Sequence, residues 1–154
     1  MNINYENFKK NKGISLLELI LSLAVIAIIL VMATRFYSLV HSEQQLNDAT
    51  GMIQSIRSAG ERWLLSHDDY TYINIDNLIE RNLLPKNFGT NPWGGTVTVE
   101  PDTTMTKMKI TIDKIPVPAC LNLENRFSSI TGPPLPGSCT KGPGDLTNYI
   151  AVFN

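Results

Sequence analysis

Few side chains in this sequence are placed to do chemistry. Glu18 is the only charge in an apolar run from Ile14 to Ala33. A carboxylate in a membrane helix costs roughly 2.5–3.5 kcal/mol at the bilayer centre and less near the interface, so Glu18 calls for a positive partner in another molecule. Cys120 and Cys139 are the only cysteines. In an oxidising compartment a single pair reads as one disulfide, and closing a loop of about 20 residues is worth roughly 3 kcal/mol in the loop-entropy model. In a reducing compartment the same pair would be buried thiols. A zinc site would need further ligands, and His41 and His67 lie far off along the chain. His67-Asp68-Asp69 reads as a solvated turn at a helix end, with an incomplete metal site as the alternative. Asp102, Asp113 and Asp145 are dispersed and match no calcium loop. Gly142-Pro143-Gly144 does not lead into a helix with a lysine in place for phosphate. Trp93, between proline and glycine, reads as a packing plug. No nucleophile, acid–base pair or metal set emerges, so the sequence points away from an enzyme and implies no cofactor.

The elements that position these residues start with the apolar run. Ile14 to Ala33 is 20 residues, roughly 30 Å of helix and enough to cross a bilayer. Lys9, Lys10 and Lys12 precede it, which predicts a cytoplasmic N-terminus and places everything after Arg35 outside. Three uses of the run are open on these grounds. It can be a plain signal anchor. It can be a cleaved secretory signal, since Val31-Met32-Ala33 offers small residues at the right offsets, although a signal core is usually only about 7–15 residues. Or the basic leader can be removed on the cytoplasmic side, between Gly13 and Ile14, with the apolar helix kept. The 154-residue chain is 43% hydrophobic and 18% charged, with net charge −1. That suits one modest domain carrying a membrane segment. The lysines and arginines beyond the leader form no basic run, so nothing indicates nucleic acid as a partner.

No proline precedes Pro85 and no glycine lies between Gly13 and Gly51, which permits one helix from Ile14 to about Ser66. Its second half changes character. Leu46, Ala49, Ile53, Ile56, Gly60 and Trp63 recur at alternating steps of three and four, an apolar stripe for packing on a domain. Ile75 to Asn82 reads as a short helix, with Asn74 as N-cap and Pro85 as stop. Asn91 to Gly95 is a turn. Thr96–Val99 and Met108–Ile112 read as antiparallel strands, the second ended by Pro116 and Pro118. Ala119–Phe127 is a short helix holding Cys120, residues 132–137 are a loop, and Asn148–Phe153 is a final strand.

Gly13-Ile14-Ser15-Leu16-Leu17-Glu18-Leu19-Ile20 resembles the class III signal of type IV prepilins. The resemblance implies cleavage after Gly13 by a prepilin peptidase and methylation of the new amine on Ile14. It also implies that Glu18, fifth in the mature chain, pairs with the N-terminal amine of a neighbouring subunit. Asn82-Leu83-Leu84-Pro85, then Asn91-Pro92-Trp93-Gly94-Gly95, then Val117-Pro118-Ala119-Cys120 before a second cysteine look like the type IVb branch. The expected fold is α+β, a long N-terminal helix with a membrane-embedded first half, packed on a small antiparallel sheet. Residues 1–13 would be the leader, 14–34 the membrane and filament-core half-helix, 35–66 the amphipathic half, and 67–154 the head with a disulfide-bounded loop. The implied role is a structural pilus subunit, held in the bacterial inner membrane and then extracellular in the filament. The implied partners are other pilin subunits, the peptidase, an assembly ATPase and an inner-membrane platform protein. A minor pilin or a type II secretion pseudopilin is the alternative within the family. Outside it stands a single-span surface-binding protein that never polymerises.

Overall fold

The computed structural model describes residues 15–128, 137–142 and 146–153. They divide into two compact units, with the boundary between Val40 and His41.

Helix α1 runs Leu16–Leu64. Every residue from Ser15 to Gln44 is exposed, as the apolar-all-round sequence of that half predicts for a helix whose partners lie outside the chain. From Leu46 onward one face is buried, and it is the predicted stripe with Ala59 added. That face forms one core with the strands and short helices of the second unit. Helix α2 spans Ile75–Glu80, capped by Asn74, whose side chain accepts from the Asn77 N–H at 2.7 Å. Such a cap satisfies a helical N–H that has no partner within the helix.

Among the described residues the sheet has four antiparallel strands in the order β1-β2-β4-β3. These are β1 Val97–Pro101, β2 Met108–Pro116, β3 Ser138–Lys141 and β4 Leu146–Phe153. Helix α3, Val117–Phe127, follows β2 directly. Two expectations need correction. Strand β2 does not stop near Ile112. It continues through a bulge between Ile112 and Ile115 and pairs Ile115 with Thr147 and Pro116 with Leu146. The inward set Met108, Ile110 and Ile112 is followed by Ile115, an odd step that would turn Ile115 outward in a regular strand. The extra residue of the bulge, with Lys114 at φ 54, returns it to the core face. Pro116 is the last strand residue, where a missing N–H is tolerated. Pro118 opens α3 instead of merely ending β2, at a position where a helix has no internal partner for its N–H. Strand β3 carries no sequence expectation at all. The loop expected at 132–137 lies outside the described residues except for Gly137.

Candidate functional site

Glu18 lies in the first turn of α1, where the helix dipole favours a negative group. Its neighbours Leu17, Leu19 and Leu21 are 74%, 51% and 63% exposed. Apart from Ser22, every other side chain from Leu16 to Ala33 on this helix is apolar, so the carboxylate sits among hydrocarbon neighbours. Gly13 and Ile14, the expected cleavage and methylation positions, lie outside the described residues. Among those residues, α1 is the one helix long and apolar enough to cross a membrane.

Cys120 and Cys139 form a disulfide with a Cα–Cα distance of 6.0 Å, joining α3 to β3. Cys120 is fully buried against the core. Arg126 at the other end of α3 reaches α1, with Nη1 2.9 Å from Asn47 Oδ1 and Nη2 3.7 Å from the Glu43 carboxylate. Both groups of that pair are partly exposed, so its contribution to stability is small, but it ties α3 to α1 at one place.

The residues weighed for metal or acid–base work have structural roles. His67 stacks on Trp63 with ring centroids 4.0 Å apart and planes 8° from parallel, and its Nδ1 is 3.1 Å from the Trp63 carbonyl oxygen. Asp69 accepts from the Thr71 N–H at 2.9 Å. Hydrogen bonding from Thr71, side chain first and backbone second, holds the Asp69 carboxyl below its ordinary value. Asp113 caps the start of β1, accepting from both the N–H and the hydroxyl of Thr96. The Asp102 N–H closes the β1–β2 turn onto Lys107. Pro143, Gly144 and Asp145 lie outside the described residues. Among the described residues no three His, Cys, Asp or Glu side chains converge as metal ligands would.

The sequence gives little hint of how the Asn91–Gly95 turn is held. The Asn91 side chain is buried. Its Oδ1 accepts from the N–H groups of Trp93 (2.9 Å) and Gly95 (3.0 Å), and its Nδ2 donates to the Asp113 carbonyl at 2.6 Å. Gln45 Nε2 on α1 donates to the Pro92 carbonyl at 3.2 Å. Trp93 is thereby fixed, half-buried against the core. A Cβ on Gly95 would run into the Asp113 carbonyl oxygen, so this position takes only glycine. An asparagine before a proline signals a turn, but not a contact 22 residues away.

Two family models match the chain. The prokaryotic N-terminal methylation motif covers residues 8–34, and PilS N terminal covers residues 43–132, more than half of the 154 residues. No curated protein matches the chain, and no solved structure does. A methylation motif opening an exposed apolar helix, a second match over the head, and an α+β head pinned by a disulfide agree with one another: the chain belongs to the type IV pilin family.

Proposed function

We propose that this pilin is a structural subunit of a type IV pilus. The leader, residues 1–13, is removed after Gly13 by the prepilin peptidase, and Ile14 becomes the N-methylated terminus. Residues 14–34 span the inner membrane with the N-terminus cytoplasmic, then become filament core. Residues 35–66 form the amphipathic half-helix, and residues 67–154 form the extracellular head. Other copies of the chain, an assembly ATPase and an inner-membrane platform are its partners, and its work is structural, not catalytic.

The observation that supports this most is the first half of α1, exposed on every side and carrying one carboxylate. Burying an apolar side chain from water is worth roughly 1.5–3 kcal/mol, so this surface does not stay in water. Lipid covers it before assembly. Neighbouring subunits cover it afterwards, with little gain from water exclusion because lipid tails are as apolar as leucine. Driven assembly is therefore needed, and the Glu18–amine pair supplies register. Opposite charges attract strongly in low dielectric, and removing one partner of such a pair typically costs about 3–5 kcal/mol.

Glu18→Ala tests the proposal. The variant should remain membrane-bound and processed, while surface fibres counted by electron microscopy fall to near zero. Fibres in normal number would sink the pairing. A chain that stays in the membrane in every strain would favour the single-span surface protein.

A further inference from the structure

Exposed apolar side chains on α1 continue past Ala33, through Phe36, Tyr37, Leu39 and Val40. We propose that residues 35–40 form a lipid-contact belt. Arg35, Phe36 and Tyr37 ring the helix at the headgroup level of the leaflet facing away from the cytoplasm, and set how deep the chain sits before assembly. This rests on the membrane-held stage of the reading above and names its lipid contact.

The residue types change in the order a bilayer sorts them. No Phe, Trp or Tyr occurs between Leu16 and Ala33. Phe36 and Tyr37 stand together just past that run, 68% and 73% exposed, and the next such residue on α1 is the buried Trp63. Aliphatic side chains fill a hydrocarbon layer, while rings with a polar tip collect at the headgroups. Tyr37 is such a ring. Arg35 can lay its stem along hydrocarbon and hold its guanidinium among the lipid phosphates. Among the described residues none of these side chains joins the head's core, and the compact unit of the head begins only at His41.

Hydrogen bonding marks the same boundary. Ser22 Oγ donates to the Leu19 carbonyl at 2.8 Å, and Thr34 Oγ1 to the Val31 carbonyl at 3.0 Å. Both hydroxyls are satisfied within the helix, as polar groups facing hydrocarbon must be. Arg35 is the first side chain after Glu18 that carries a charge, and a charge is costly inside the hydrocarbon layer. Successive residues on an α-helix point about 100° apart, so Arg35, Phe36 and Tyr37 surround the axis instead of lying along one side. A helix that docks in a protein groove presents anchors three or four residues apart on a single face. A ring of consecutive residues fits a planar lipid layer that meets the helix on all sides.

Length agrees with this placement. Glu18 and Arg35 are separated by about 26 Å of helix, at about 1.5 Å per residue. The hydrocarbon layer is about 30 Å thick. With Arg35 at its outer edge, Glu18 comes within about 5 Å of the inner edge, where a carboxylate is tolerated far better than at the centre. Before assembly Glu18 therefore needs no protein partner. Moving into the filament takes it away from that edge, and only then does it demand one. The belt decides the stage at which the Glu18 pairing acts.

The test reconstitutes the full-length chain into vesicles of phosphatidylethanolamine and phosphatidylglycerol. Nitroxide labels are attached to Leu23→Cys, Met32→Cys and Ser38→Cys, one at a time; Cys120 and Cys139 are paired with each other and take no label. Relative collision with oxygen and with a water-soluble nickel chelate reads the depth of each label. Labels at 23 and 32 should lie in hydrocarbon and the label at 38 among the headgroups. Phe36→Gln with Tyr37→Gln, both at exposed positions, should let the helix slide outward and bring the label at 32 about 3–5 Å nearer the surface, the rise of two or three residues. A label at 38 as deep as the one at 32, a label at 38 as open to nickel as one in water, or depths unmoved by the double variant would each overturn the belt and leave the membrane reading standing. Spin–spin broadening at 38 that survives dilution with excess lipid would make a second copy the occupant and overturn the lipid contact. Labels at 23 and 32 outside the hydrocarbon would overturn the membrane reading, and the belt with it.

Discussion

Tyr149 lies fully buried on β4 between Phe127 and the β3 edge, and its hydroxyl has no hydrogen-bond partner among the described residues. The end of its ring is so close to Gly137 that a Cβ there would collide with the hydroxyl. A buried polar group left unpaired costs about 1–3 kcal/mol. Tyr149→Phe removes that group and keeps the ring, so it should raise stability to chemical unfolding by about 1 kcal/mol. The pH dependence has a definite sign. Burial first, and the Glu124 charge second, push the Tyr149 phenol well above the ordinary tyrosine value of 10.0. As pH rises past that value the unfolded chain releases this proton while the folded chain keeps it, so stability falls. The wild type should lose stability progressively above pH 10, and Tyr149→Phe should show a shallower loss. Equal slopes in urea titrations across that range would remove Tyr149 as the cause. Glu18 was legible in the sequence because its chemistry is out of place among its neighbours. Asn91 and Tyr149 were not, because what sets them apart is a partner, or the lack of one, brought close only by folding.

At the scale of elements, β3 is the most dependent on covalent help. It is a four-residue strand that, among the described residues, lies at the sheet edge and pairs with β4 alone, and the disulfide joins its Cys139 to Cys120 on α3. The bridge spans 19 residues, so its removal should lower unfolding free energy by about 3 kcal/mol in the loop-entropy model. Cys120→Ser with Cys139→Ser, compared with the wild type by urea unfolding in detergent, gives the value. Hydrogen exchange should show β3 amides losing protection before those of β2 and β4. Uniform loss across the sheet would mean that β3 does not open on its own. The same contrast explains what could be read beforehand. Helix α1 announces itself through a long uninterrupted apolar and then amphipathic pattern, and β1, β2 and β4 through alternation. Strand β3 is too short and too exposed to alternate. The bulge after Ile112 was hidden because Asp113-Lys114 looks like a strand end, and only pairing with Thr147 and Leu146 carries β2 across it.

For the whole molecule, the two units meet different demands. Among the described residues the head's core takes nothing from the chain before Leu46, so on the proposed filament reading the head can fold identically whether lipid or other subunits cover the first half of α1. The membrane-held and assembled forms then need not differ in fold. On the filament reading they share one covalent history, fixed before assembly by cleavage and methylation. An exposed apolar helix without processing would be an anchor and nothing more, because a charged leader at its N-terminus could not be buried among neighbouring helices without the desolvation cost of several lysines. Intact mass therefore separates the possibilities. Protein from the inner membrane and from sheared fibres should both give a chain beginning at Ile14, heavier by one methyl group and gaining two hydrogens on reduction as the Cys120–Cys139 bridge opens. A chain beginning at Met1 in both fractions would make α1 a plain anchor, and one beginning at Thr34 would mean that a secretory peptidase removes the apolar half-helix. In either case the surface that drives the assembly argument would be absent or blocked in the mature protein.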